Sequence, residues 1–276
     1  MGFTPNPVAF TVFGIDIRWY AVIICTGMIL ASYIIYRRSP KYGIDPENIL
    51  DVLLCSIPAG IVGARVWYVV CNLHYYDSFV EMINIRNGGL AIHGGLIFGL
   101  TTAAIVCKIK KINIPDVLDL AVPCIALGQA IGRWGNYFNS EAYGSPTDLP
   151  WAITIDGVKV HPTFLYESLW CLMLFFLLSW ILGRRKFKGQ IICLYAMLYS
   201  LERFFVEQLR TDSLLTGPSH LKEALQAVGY DPTLVDGVLH VGDFLIFPCK
   251  TAQLISVLGI VIGLAVYVVL KKRKVK

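Results

Sequence analysis

The stretch AVPCIALGQAIGRWGNYFNSEAYGS (121–145) joins an apolar run to a group of polar side chains. The run ends at Leu127, and glycines then separate Arg133 from asparagine and glutamate residues. If the run lies in a membrane, Arg133 sits at its edge, where a charge costs about 3 kcal/mol even on the most lenient insertion scale. Arg133 therefore needs an anionic partner or a polar cavity, formed by the rest of the chain or by a ligand.

The composition of the 276-residue chain is typical of an integral membrane protein. Hydrophobic residues make up 56% and charged residues 16%, whereas about a quarter of an average soluble domain is charged. Seven stretches are long and apolar enough to cross a bilayer, which takes about 20 residues of α-helix. We therefore predict an all-α, polytopic membrane protein with seven transmembrane helices, forming a single integral membrane domain over residues 1–276. The predicted spans are 18–36, 49–71, 90–107, 116–134, 162–182, 190–209 and 250–270.

Basic residues predict the orientation of these spans. More than half of the 24 lysines and arginines fall in the short segments after the first, third, fifth and seventh spans. Because such segments are retained in the cytoplasm, we expect the N-terminus outside and the C-terminus in the cytoplasm. Residues 135–161 and 210–249 then form small extracytoplasmic arm and cap segments inserted in the membrane domain. The net charge of +5 indicates contact with anionic membrane lipids, and nucleic-acid binding is not implied.

This orientation places most of the intramembrane polar residues in the outer half of the bilayer. The main residues expected at this depth are Tyr20, Arg65, His93, Arg133 and Arg203. On the sixth predicted span, Tyr199, Glu207 and Arg210 recur with Arg203 at helical spacing and share one face. A surplus of guanidinium groups at headgroup depth predicts a phosphate ligand, which arginine holds with two parallel hydrogen bonds. The nearest abundant phosphate is that of a phospholipid.

Three of these residues also have a purely structural interpretation, whereas Arg203 lies deeper and has polar residues on its helix face. Arg133 could extend its side chain to the outer headgroups, and Arg65 could equally tie helices together. His93 lies among glycines, which allow close helix packing or a ligand against the backbone, so it could be a packing residue or a proton-transfer base. The eight cysteines fall mostly in or beside apolar segments, as small hydrophobic residues do, and their spacing predicts neither a metal site nor a disulfide framework.

Two short elements are predicted outside the spans. Asp156-Gly157 is a common turn pair and predicts a hairpin within residues 151–160. Residues 221–229 repeat apolar side chains at helical spacing and end in glycine, which predicts a short amphipathic helix. This helix belongs to a long segment, 211–248, that is either a surface insertion or a lid over a lipid entrance.

Several motifs resemble, in the same order, those of the prolipoprotein diacylglyceryl transferase family, which are integral membrane enzymes of bacterial lipoprotein maturation. The most specific is GRWGNYFNSEAYG (132–144). The others are IRWYAV (17–22), GARVWYV (63–69), GGLAIHGGL (88–96), HPTFLYES (161–168) and YSLERFFVEQLR (199–210). The long segment 211–248 departs from the resemblance, being longer than expected for the family.

The resemblance implies a reaction and its partners. The substrate would be phosphatidylglycerol, and the acceptor would be the cysteine thiol in the lipobox of a prolipoprotein signal peptide. The diacylglyceryl group would move to sulfur as a thioether, and glycerol phosphate would leave. The enzyme would lie in the bacterial cytoplasmic membrane as a multi-pass protein, in contact with membrane lipids, with its active site facing the extracytoplasmic side. No metal or organic cofactor is called for.

The resemblance also implies which residues act. His93, Arg133 and Arg203 match the essential histidine and arginines of the family and are the expected catalytic residues. His93 is the candidate base, although the field of the arginines could also lower the pKa of the thiol. The expected substrate-binding residues are the two arginines with Tyr20, Asn136, Asn139, Glu141, Gly144, Tyr199, Glu207 and Arg210, and the charge argument adds Arg65.

Two other classes of membrane protein fit the sequence less well. A light-driven retinal protein has seven helices but needs a lysine in its last span, and residues 256–270 contain none. A transporter would favour internal repeats and polar groups at the middle of the membrane, whereas the charged residues here are expected near one surface.

Overall fold

The computed structural model describes residues 6–85, 88–210, 215–216, 233–235, 238–241, 244–246 and 249–275. Long helices make up most of this described part. The helices are α1 (Trp19–Arg38), α2 (Pro46–Cys71), α3 (Phe79–Ile83), α4 (Ile92–Ile109), α5 (Ile114–Phe138), α6 (Thr163–Leu182), α7 (Gln190–Leu209) and α8 (Thr251–Val275). Short 3₁₀ turns follow α1 at Ser39–Tyr42 and α2 at Leu73–Tyr75.

Six helices of the described part are long and apolar enough to cross a membrane. They run over Trp19–Tyr42, Pro46–Cys71, Ile92–Ile109, Ile114–Phe138, Thr163–Leu182 and Thr251–Arg273. Helix α7 coincides with the predicted sixth span and has 20 residues, but it carries Glu202, Arg203 and Glu207 near its C-terminal end. Composition alone therefore does not mark it as a span. The fold is that of a helical, multi-pass membrane protein.

Local sequence signals set the ends of several helices. The Asp45 carboxylate accepts a hydrogen bond from the backbone N–H of Glu47 at 3.1 Å, and Pro46 occupies the first turn of α2. Asp45 is thus the N-cap of α2, and a proline and an acid follow it in the first turn. Gly189 precedes α7 with φ +85°, a left-handed conformation that glycine adopts without strain. Gly189 thus ends the short basic connection between α6 and α7.

The strands are short and form small antiparallel sheets. They are β1 (Val8–Val12), β2 (Ile15–Arg18), β3 (Ile153–Ile155), β4 (Val158–Val160), β5 (Leu215–Thr216), β6 (Thr233–Val235), β7 (Val238–Val241), β8 (Phe244–Ile246) and β9 (Cys249–Lys250). β3 and β4 pair around Asp156 and Gly157, both at positive φ, which confirms the predicted hairpin. The β1–β2 hairpin before α1 was not predicted. The predicted helix at 221–229 lies outside the described residues.

The chain divides into two compact units, Met1–Met28 with Ile125–Lys276, and Ile29–Cys124. In the second unit, α2 and α4 pack closely because glycines line both helices. A Cβ on Gly94 would overlap the backbone of Gly63, and a Cβ on Gly60 would lie 3.3 Å from the carbonyl oxygen of Gly95. Lys110, just past α4, pairs with Asp51 of α2, and this hydrogen bond raises the pKa of the lysine.

In the first unit, α7 packs against α6 and α8. The indole N–H of Trp170 on α6 donates to the carbonyl of Leu198 at 3.2 Å, and the amide of Gln253 on α8 donates to the carbonyl of Phe204 at 3.3 Å. Side-chain hydrogen bonds to backbone carbonyls thus fix α7 from two sides. Most of the polar residues of the candidate site lie on or next to this helix.

Candidate active site

A cluster of arginines from α5 and α7 surrounds one carboxylate on α6. Arg133 of α5 pairs with Glu167 through Nη2. Arg203 of α7 places Nη1 at 3.3 Å from each oxygen of Glu167, and Arg210, just after α7, lies with Nη1 at 3.7 Å from the same carboxylate. Glu167 is the one charged residue of α6, and contact with the arginines stabilises a charge that would be costly if it faced lipid.

The arginines are partly accessible, whereas their shared carboxylate is not. The side chains of Arg133 and Arg203 are 20% and 19% exposed, and that of Glu167 is 1% exposed. Arg203 also donates to Glu207, one helical turn further along α7, at 2.7 Å. Both arginine side chains are therefore held by buried carboxylates while remaining partly exposed, and a guanidinium group can bind a phosphate with two parallel hydrogen bonds.

Two tyrosines of α7 extend the cluster. The Tyr199 hydroxyl accepts a hydrogen bond from Arg133 Nη2 at 3.4 Å. Its ring stacks on that of Tyr195 with centroids 5.4 Å apart, and the Tyr195 hydroxyl donates to Gln129 of α5 at 2.7 Å. These contacts tie α5 to α7 beside Arg133 and limit the directions in which its side chain can move.

A second polar group forms just after α5. Asn136 and Asn139 both donate to one oxygen of Glu141, at 3.0 and 3.2 Å. Ser140 and Ala142 have positive φ values of 50° and 56°, which is uncommon for residues other than glycine. The chain thus bends sharply so that one carboxylate faces two amides. The predicted residues Asn136, Asn139 and Glu141 are brought together by this turn.

Gly144 occupies a position with no room for a side chain. A Cβ there would lie 2.7 Å from the Cβ of His161 and 3.0 Å from the carbonyl oxygen of Leu209. Its N–H donates to the carbonyl of His161 at 2.9 Å, and Ser145 N–H donates to that of Leu209 at 2.7 Å. The segment after Glu141 is therefore paired with the end of α7, next to Arg210.

Tyr20 lies in the first turn of α1 and is 37% exposed. Its ring lies against Gly135 of α5, since a Cβ on that glycine would come within 2.6 Å of the ring. Glycine at this position lets an aromatic ring approach the backbone of α5 two residues after Arg133. Tyr20 is thus placed beside the predicted site within the same unit of the chain.

The two remaining predicted site residues, His93 and Arg65, belong to the other unit. His93 is exposed in the first turn of α4. Arg65 is buried on α2 and donates to four backbone carbonyls, those of Glu81, Met82, Gly88 and Gly89, at 2.8 to 3.0 Å. The sequence left open whether Arg65 ties helices together or binds a ligand. Its contacts agree with the first interpretation, because they hold the segment between α2 and α4.

Three residues at the cluster were absent from the predicted set. Glu167 contacts three arginines, and the signal for it was a lone carboxylate inside a long apolar helix. Glu202 is 5% exposed, and neither carboxylate oxygen has a hydrogen-bond partner in the described part of the chain. Lys250 donates to the carbonyls of Glu207 and Arg210, at 3.0 Å for the latter, and so caps the C-terminal end of α7. Within the described ranges, no group of three or more His, Cys, Asp or Glu residues could hold a metal ion.

Comparisons with known proteins identify the family. The family model for prolipoprotein diacylglyceryl transferase matches residues 7–269. A phosphatidylglycerol–prolipoprotein diacylglyceryl transferase of Finegoldia magna is 53% identical over 212 residues, 76% of this chain and 86% of the relative. Proteins of the same name are 47% identical in Clostridioides difficile, over 80% of this chain and 90% of the relative, and 40% identical in Clostridium kluyveri, over 97% and 98%. With similarity of this extent along nearly the whole sequence, the chain belongs to the prolipoprotein diacylglyceryl transferase family.

Proposed function

We propose that this protein transfers the diacylglyceryl group of phosphatidylglycerol to the lipobox cysteine of prolipoproteins, the first step of lipoprotein lipidation. The names of its relatives include the same two substrates, phosphatidylglycerol and a prolipoprotein. The observation that carries the proposal in this chain is the pair of partly exposed arginine side chains, Arg133 and Arg203, held around Glu167. Two guanidinium groups fixed on different helices fit the phosphate of an anionic lipid better than a single flexible lysine would.

The chemistry follows from what the site must stabilise. The cysteine sulfur forms a bond to the glycerol carbon of the lipid that carries the phosphate ester, and the carbon–oxygen bond breaks. Glycerol phosphate leaves with the electron pair of that bond. Arg133 and Arg203 would stabilise the negative charge that grows on the leaving phosphate, which is the largest contribution available without a metal ion.

The thiol must lose its proton because the thiolate is the nucleophile. His93 is the proposed base, since neutral imidazole accepts a proton near neutral pH and its side chain is exposed at the start of α4. Tyr20, Tyr199 and the Asn136–Asn139–Glu141 group would supply hydrogen bonds to the lipid headgroup. The end of α7 beside the headgroup would be shaped by Glu207, Arg210 and Gly144.

We further propose the location of the reaction. With α7 as an additional span, the chain would cross the bacterial cytoplasmic membrane seven times, with its N-terminus outside and its C-terminus in the cytoplasm. Basic residues cluster after α1, α4, α6 and at the end of α8, which supports this orientation. The arginine cluster would then lie in the outer half of the bilayer, where the lipid and the exported signal peptide both present their reacting groups.

The test is an assay with purified protein, phosphatidylglycerol and a synthetic lipobox peptide. We expect the peptide to gain the mass of a diacylglyceryl group through a thioether, with release of glycerol phosphate. Arg133→Ala and Arg203→Ala are each expected to lower the rate by about 100-fold or more, because each removes a donor to the developing charge.

Arg37→Ala is the matched control, since Arg37 is an exposed arginine at the C-terminal end of α1, and it should retain the wild-type rate. Phosphatidylcholine in place of phosphatidylglycerol should give no product. Loss of the peptide thiol without thioether formation, or an equal rate with both lipids, would contradict the proposed function.

A further inference from the structure

Glu167 occupies the centre of the arginine cluster, although no step of the proposed reaction uses its carboxylate. It contacts Arg133 of α5 and both Arg203 and Arg210 at the α7 end, so it connects helices that are separate in sequence. Its side chain is 1% exposed. A carboxylate this deeply buried does not reach the lipid, and so its effect must pass through the arginines that it contacts.

We propose that Glu167 is a positioning residue for the transfer reaction, an inference that rests on the proposed function. Its two oxygens hold the guanidinium groups of Arg133 and Arg203 close together, so that both can bind one phosphate. Arg203 is further constrained by Glu207 at 2.7 Å, and Arg133 by Tyr199 at 3.4 Å. Glu167 is the group that couples the two arginines to each other.

The physical reason is the mutual repulsion of the cations. Two guanidinium groups near the same point in a low-dielectric medium repel one another strongly, and without a shared anion their side chains would turn apart. A displacement of about 1 Å from the productive geometry costs roughly 100-fold in rate. Because Glu167 holds the arginines in place before the lipid reacts, this loss of rate is avoided.

If Glu167 positions the arginines, its substitution should affect kcat and KM differently. Glu167→Gln keeps the shape of the side chain and removes its charge. The site becomes more positive, so attraction of the anionic lipid does not weaken, and the KM for phosphatidylglycerol should stay the same or fall. The arginines lose their common anchor, and kcat should fall by about 100-fold. Glu167→Asp keeps the charge but shortens the reach, and its kcat should lie between those of wild type and Glu167→Gln.

Two further variants provide matched controls. Asp119→Asn likewise neutralises a buried carboxylate, but one that lies 14 residues before Arg133 on α5, and it should change kcat less than about 3-fold. Ser168→Ala removes the hydrogen bond that the Ser168 hydroxyl donates to the carbonyl of Ala130, at 2.8 Å, and the one that it accepts from the indole N–H of Trp134, at 3.2 Å; both join α6 to α5. It should lower the thermal unfolding temperature and leave the ratio of kcat to KM near that of wild type.

The experiment measures kcat and KM for phosphatidylglycerol in the full-length protein, together with the unfolding temperature of each variant. A wild-type kcat in Glu167→Gln, or a raised KM with an unchanged kcat, would overturn the positioning role. If Glu167→Gln does not fold, Glu167→Asp decides the question, and a wild-type kcat there would overturn the role as well. A wild-type protein that forms no thioether product would instead contradict the proposed function.

Discussion

At the residue scale, identical side chains in the predicted outer half of the membrane have different surroundings. Arg133 and Arg203 share one carboxylate and remain partly exposed, whereas Arg65 is buried and donates to four backbone carbonyls. The sequence predicted the depth of all three, because depth follows from position along an apolar run. It could not predict their partners, since these depend on which helices become neighbours.

For Arg65, a substitution can separate the structural interpretation from direct contact with a ligand. Arg65→Lys replaces a planar group that serves four carbonyls with an ammonium that has three donors and a different geometry. At least one buried carbonyl would lose its donor, and we expect the stability to fall by about 1–3 kcal/mol. The measurement is the thermal unfolding temperature of the purified protein, compared with that of Arg37→Lys at an exposed site. An unchanged unfolding temperature with a raised KM for the lipid would favour direct ligand contact instead.

Glu167 was visible in the sequence only as one acid in a long apolar helix. Its motif, HPTFLYES (161–168), contributed to the family resemblance, but nothing in that motif indicates three arginine partners. The contact arises because α6 brings Glu167 to the same place that α5 and α7 bring their arginines. Tertiary arrangement of this kind cannot be read from helical periodicity, which reports one helix at a time.

At the element scale, the long apolar helices followed from the sequence and the short strands mostly did not. The β3–β4 hairpin carries a recognisable Asp-Gly turn, while the β1–β2 hairpin turns at Phe13 and Gly14, with φ of 50° and 76°. Phenylalanine is rarely used at a left-handed position, so the usual turn signal was missing. The caps of α2 and the glycine before α7 were predictable because capping is a local interaction.

The glycines of α2 and α4 give an element-scale prediction. A Cβ on Gly94 would overlap the carbonyl group of Gly63, so Gly94→Ala should force the two helices apart at a cost of about 1–3 kcal/mol. Gly99→Ala on the same helix is the control, because its Cβ would meet the carbonyl oxygen of Ser56 at 3.5 Å, an ordinary contact. Thermal unfolding should separate the two variants, and equal unfolding temperatures would show that the helices adjust freely at Gly94.

At the scale of the whole molecule, the composition predicted a multi-pass helical membrane protein and the structure agrees. Six helices of the described part qualify as spans by length and apolar composition, and α7 carries the charged residues Glu202, Arg203 and Glu207. A functional helix in a membrane commonly carries such residues, which face a polar interior and lower its apparent hydrophobicity. Arg203 and Glu207, which place α7 in the candidate site, are thus also among the residues that lower its apparent hydrophobicity.

The seven-span arrangement predicts that the two ends of α7 lie on opposite sides of the membrane. A reporter that fluoresces only in the cytoplasm, fused after Lys188, should be active, and so should the same reporter fused at the C-terminus after Lys276. Alkaline phosphatase, which folds only outside the cytoplasm, should be active when fused after Arg210 and inactive after Lys188. The positive segment Arg184–Lys188 is the physical reason, because short basic loops are retained in the cytoplasm. If phosphatase activity were equally low after Lys188 and after Arg210, α7 would not cross the membrane, and the arginine cluster could not be placed at the outer surface by this topology.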